Sequence, residues 1–130
     1  MNSGETLSKN LTSFEKTIID ALLEGNDPNL NLIKQQLQNI ESLERTFTGV
    51  GFFTDFQIHP SKIYKLTVNV KPFGDVIAEL KGLKYGVGFV LFFKDGYIST
   101  LEGYTHSEDW PETPKITSLS RSTSLSRFGY

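Results

Sequence analysis

The chain has 130 residues, no cysteine, 38% hydrophobic residues and a formal charge of −2. That length fits one domain with one real core, burying about two-thirds of the surface the unfolded chain exposes. Lack of thiols excludes thiolate catalysis, Cys-ligated zinc and iron–sulfur clusters, and scattered lysines at near-neutral charge argue against a nucleic-acid footprint.

From the N-terminus, the sequence MNSGETLSKNLTSF has no charged region followed by an apolar one, so no export signal is expected. No apolar run approaches the ~18 residues of a membrane helix; the longest, residues 87–93, contains Gly88. With cysteine absent, these features fit the cytoplasm. Thr12 and Glu15 have the spacing of a capping box, in which hydroxyl and carboxylate satisfy the free amides of a helix start. Phe14, Ile18, Ala21 and Leu22 then recur at helical spacing, and Gly25 supplies a stop. Asp27 is a good N-cap before Pro28, whose missing amide costs nothing at the first helical position. Leu30, Ile33, Leu37 and Ile40 form the stripe of a second helix. The pair reads as a helix hairpin with one apolar side.

Beyond Leu43 the period changes from helical to alternating. Residues 45–56, RTFTGVGFFTDF, read as one strand, and His59-Pro60-Ser61 as a turn. Residues 62–70, KIYKLTVNV, alternate cleanly: Tyr64, Leu66, Val68 and Val70 on one face, Lys65, Thr67 and Asn69 on the other. That pattern predicts a half-buried strand. Residues 75–81 predict a shorter one, closed by Gly82.

Asp95-Gly96 between two β-rich runs predicts a two-residue hairpin, because a type I′ turn needs positive φ at both positions. A regular ladder then sets Lys94 opposite Tyr97, Phe93 opposite Ile98, Leu91 opposite Thr100 and Phe89 opposite Glu102. Phe89, Leu91, Phe93 and Ile98 share one face; Val90, Phe92, Tyr97 and Leu101 share the other. A strand apolar on both faces is a central strand covered on both sides. The helices supply one cover; a curved sheet, the C-terminal tail or another chain is left to supply the other. GVGF occurs twice, at 49–52 and 86–89, and glycines two apart in a strand permit bending or close approach of another group.

Gly86-Val87-Gly88 lacks the third glycine and the following helix of a nucleotide loop. Glu102 and His106, with Glu108 and Asp109 nearby and His59 from another turn, are the groups a divalent metal would use, and Glu102, His106, Asp55 and His59 those of a ligand pocket; the competing reading is a polar rim at the hairpin end. In the regular register Glu102 falls on the face of Phe89, and Arg45 is its candidate partner. Asp55, Asp75 and Glu79 supply further carboxylates without a spacing that defines a catalytic pair. Trp110 reads either as an interface anchor or as a pin for the loop after the hairpin. Residues 112–130 form a polar, serine-rich tail in which SLSR appears at 118–121 and 124–127; Arg121 and Arg127 are the one basic concentration.

Residues 73–111, FGDVIAELKGLKYGVGFVLFFKDGYISTLEGYTHSEDWP, with TFTGVGFFTDF at 46–56, resemble small single-domain bacterial proteins of uncharacterised function. The resemblance spans residues 22–111 and implies no activity, cofactor or catalytic residue. The build is also similar in style to the immunity proteins paired with bacterial toxins. The expectation is one α+β domain over residues 1–111, a helix hairpin on a curved antiparallel sheet of about five strands, followed by the tail. Its expected role is protein binding, to a partner or to itself as a homodimer, through Phe92, Tyr97, Leu101, Tyr104 and Trp110. The alternative is a small-molecule or metal site, enzymatic or not, built from Asp55, His59, Glu102 and His106. No metal, cofactor, nucleic acid or membrane is implied.

Overall fold

A computed structural model describes residues 10–122. The first nine residues and the second SLSR copy lie outside them. Two helices, α1 (Ser13–Leu22) and α2 (Pro28–Leu37), precede β1 (Ile40–Phe47), β2 (Gly51–Ile58), β3 (Val76–Leu80), β4 (Val87–Lys94), β5 (Tyr97–Tyr104) and β6 (Ile116–Arg121). The strands form one curved antiparallel sheet in the order β1-β2-β5-β4-β3-β6, an α+β fold.

Both helix starts form as their sequences dictate. The Thr12 hydroxyl accepts from the Glu15 amide while the Glu15 carboxylate accepts from the Thr12 amide. Asp27 caps α2 through the Asn29 amide, with Pro28 at the first position. The inward side chains are Ile18, Ile19 and Leu22 on α1 and Leu30, Ile33 and Gln36 on α2. They meet Leu43, Phe52, Phe56, Val76, Ala78, Leu80, Val87, Phe89, Leu91, Ile98 and Leu101 in one core.

Three expectations are corrected. Ile40 belongs to β1, not to the second helix, because α2 ends at Leu37. Residues 45–56 are not one strand: the chain reverses at 48–50, where Gly49 takes φ of +92°, and the Thr48 amide donates to Gly51 across the turn. Residues 62–70 form no strand. Their burial does alternate, with Tyr64 and Leu66 inside, but residues 62–64 form a turn and residue 68 a bend, so the alternation arises without a strand ladder. The backbone groups are met singly instead: the Leu66 amide donates to Gly96, and the Tyr64 carbonyl accepts from the Gln36 side chain at 2.8 Å.

The hairpin turn is as expected, with Asp95 at φ 54° and Gly96 at φ 87°. Lys94 lies opposite Tyr97 and Phe93 opposite Ile98, but then Phe92 pairs with Thr100 and Leu91 with Leu101. Ser99 is therefore the extra residue of a β-bulge, and each position beyond it changes face. Leu101 moves into the core, fully buried, and Glu102 moves to the opposite face, beside Val90. Gln36 serves the backbone at this irregularity: its Oε1 accepts from the Ile98 amide at 2.8 Å and its Nε2 donates to the Gly96 carbonyl at 3.0 Å.

Residues 116–121, the start of the serine-rich stretch, add a sixth strand beside β3. Arg121 ties that strand down through Asp75, at 3.0 Å, and through the Ala21 carbonyl at the end of α1.

Candidate functional site

The sheet has a covered and an open face. All core strand residues point to the helix side, and so do Phe73 and Phe93, stacked at 5.7 Å. The open face follows from the cross-strand pairing in three rows. Glu44, Asp55, Thr100 and Phe92 form one; Thr46, Phe53, Glu102 and Val90 the next; Tyr104, Gly88, Ile77 and Ser120 the third. Phe53, Val90, Phe92 and Tyr104 are half-buried and none joins the core, while Ile77 is 45% exposed. No described element lies over them. Tyr104 lays its ring across Gly88, where a Cβ would collide with it; the glycine of the second GVGF thus makes room for an aromatic ring.

The expected interface residues separate. Phe92 and Tyr104 lie on the open face. Leu101 is in the core for the reason given above. The Tyr97 hydroxyl bridges the Ser61 amide and carbonyl at the turn end of the sheet, with its ring edge-on to Tyr64 at 6.4 Å. Trp110 lies on the helix side, packing on Phe14, Phe52 and Phe89 at 6.0, 5.1 and 6.4 Å. Its loop is anchored by the Trp110 amide to the Gly49 carbonyl and by Glu108, whose carboxylate accepts from the Lys84 and Tyr85 amides. Those amides hold the Glu108 carboxyl below its ordinary value.

The expected pocket residues do not converge. Asp55 accepts from the Thr100 hydroxyl at 2.7 Å on the open face, and Glu102 lies one row away. His106 meets the Tyr104 ring edge-on at 5.8 Å, beyond the end of β5. His59 is at the other end of the sheet, 2.8 Å from Glu41. Among the described residues no three His, Asp or Glu side chains are grouped to hold a metal ion.

A concavity does exist on the helix side, about 350 Å³, between the start of α1, Phe47, Phe52, Trp110 and residues 112–114. Glu15 and Arg45 lie at its wall. Arg45, the candidate partner for Glu102, is engaged with Glu15 instead: Nε donates to Oε2 at 2.8 Å and Nη2 to Oε1 at 2.6 Å, while the Thr54 hydroxyl donates to Oε2 at 2.7 Å. Burial pushes the Glu15 carboxyl up, but hydrogen bonds from Arg45, the Thr12 amide and Thr54, with the Arg45 charge, outweigh it and hold the group below its ordinary value. Sequence spacing assigns Glu15 only to the helix cap; its second partner comes from thirty residues away, which no local pattern encodes.

No protein-family model matches the chain, and no curated protein or solved structure matches it. No helix among the described residues is long and apolar enough to cross a membrane.

Proposed function

We propose that the protein is a non-enzymatic protein-binding module whose open sheet face, centred on Phe53, Val90, Phe92 and Tyr104, receives a partner protein. One observation carries this reading: the two central strands, β5 and β4, leave aromatic and aliphatic side chains half-exposed on a face over which no described element packs. Protein interfaces concentrate aromatics at their centre with polar residues around them, and Thr46, Asp55, Thr100 and Glu79 surround this patch. The test is a photo-crosslinking amino acid placed at position 92 in the producing cell. It should give a discrete adduct that Val90→Ser abolishes, whereas the same group at the exposed Ile63 should not. A truncated aromatic hot spot costs about 2 kcal/mol or more, so Phe92→Ser should weaken the recovered complex ~30-fold. No adduct at 92, or equal adducts at 92 and 63, would retire the proposal.

A second reading rests on the helix-side groove, whose size lies at the lower end of small-ligand pockets. Trp110, the one tryptophan in the chain, lines it. A ligand seated there should change the emission of that indole; a metabolite panel leaving both emission and melting temperature unchanged argues against it.

A further inference from the structure

Resting on the reading of the open face as a docking surface, we infer that its partner is a different protein that brings a guanidinium or ammonium group to Glu102, not a second copy of this chain. Glu102 occupies the middle row of the open face, flanked by Phe53 on β2 and Val90 on β4. Among the described residues its side chain makes no hydrogen bond or ion pair. Half-buried, the carboxylate still reaches solvent water.

Any partner that covers Phe53, Val90 and Phe92 strips that water away. A carboxylate buried without a partner is heavily penalised, whereas one met by a well-placed base is tolerated. The partner must therefore supply a cation at this point. The rest of the face carries the same sign. Glu44 lies directly opposite Asp55 on adjacent strands, a like-charge pairing unfavourable in itself, and Glu79 projects from β3. Strand alternation leaves Lys94, at the turn end of β4, as the one base on this side of the six strands. Arg45 and Arg121 point to the other side, where they are paired.

A second copy meets this requirement poorly. Two-fold pairing sets the same patch against itself, confronting acidic rows with acidic rows and leaving Lys94, two rows from Glu102 at the turn end, as the one strand base that could face it. An arginine is the better match than a lysine, because its fork offers two donors to one carboxylate and its plane stacks on aromatic rings. Phe53 and Tyr104 are at hand for that.

Three synthetic heptapeptides test the inference on the full chain. Each alternates tryptophan and leucine with one other residue: arginine, serine or glutamate. Followed by amide chemical shifts, the arginine peptide should move residues 53, 90, 92, 102 and 104 and bind at least ~10-fold tighter than the serine peptide. Glu102→Gln should remove most of that advantage, and raising salt from about 0.05 to 0.3 M should shrink it; Glu112→Gln, on the groove side, should not. Sedimentation should show a monomer throughout. If the serine peptide binds the same face as tightly, or Glu102→Gln changes nothing, the cationic requirement is overturned while the docking face stands. A dimer that Phe92→Ser dissociates overturns it in favour of self-association. Arginine-peptide shifts confined to the groove or the helices overturn both readings.

Discussion

Replacing Glu15 by Ala should be among the costliest single changes outside the aliphatic core. Its side chain is 3% exposed and that of Arg45 12%, so truncation strands a guanidinium away from water. Breaking a buried ion pair from one side costs about 3–5 kcal/mol. The same carboxylate accepts from the Thr12 amide, and loss of that cap adds about 1 kcal/mol. We expect a total of about 4–6 kcal/mol, which for a domain of this size lowers the melting temperature by roughly 12–30 °C. Equilibrium urea unfolding measures it, with Arg45→Met and the double variant closing a cycle. The double variant should be more stable than Glu15→Ala, since it removes the charge that Glu15→Ala leaves stranded. The folded carboxyl is held below the ordinary value near 4.5, so its contribution is complete above that pH and is lost as pH falls through the depressed value. Wild type should therefore lose more stability on acidification than Glu15→Ala does. A cost under about 1 kcal/mol, or strict additivity in the cycle, would refute the clamp.

Leu101→Ala should cost about 2–5 kcal/mol, as for any fully buried leucine, whereas Phe92→Ser should cost under about 1.5 kcal/mol because its ring stands outside the core; urea midpoints separate the two. Gln36→Leu leaves the Ile98 amide and the Tyr64 carbonyl without their Gln36 partner and takes one of two donors from the Gly96 carbonyl, which keeps the Leu66 amide; it should cost about 3 kcal/mol, with faster amide exchange at Ile98. Gly74→Ala should prevent folding, since the added Cβ would overlap the Phe89 carbonyl, and circular dichroism would show the loss. Glu108→Gln should speed exchange of the Lys84 and Tyr85 amides. In wild type the same loosening should set in as pH drops through the lowered Glu108 value and be absent above the ordinary carboxylate range.

Local chemistry made much of the fold legible. Thr12 with Glu15, Asp27 with Pro28, and Asp95 with Gly96 each satisfy backbone demands within four residues of themselves, and each stands where its spacing predicts. What escaped is non-local. Nothing near Ser99 announces a bulge, yet that one residue exchanges the faces of Leu101 and Glu102. Residues 62–70 carry a strand's alternation while lying along the end of the sheet, because alternation records burial and not pairing. Gln36 is indistinguishable in sequence from Gln35 beside it, although one is buried against the hairpin backbone and the other exposed. The open face was legible as an apolar second side of β4; which residues of β5 share it was not, since that depends on the bulge.

Phe53, Phe92 and Tyr104 are half-exposed on the isolated chain and, on the proposed reading, covered by another protein where the chain works. Hydroxyl-radical footprinting, run on the purified protein and in the producing cell, addresses this directly. The three rings should oxidise readily in the purified protein and be protected several-fold in the cell, with Ile63 reacting alike in both. Equal reactivity of the three rings in the two settings, or rings already unreactive on the purified chain, would contradict it.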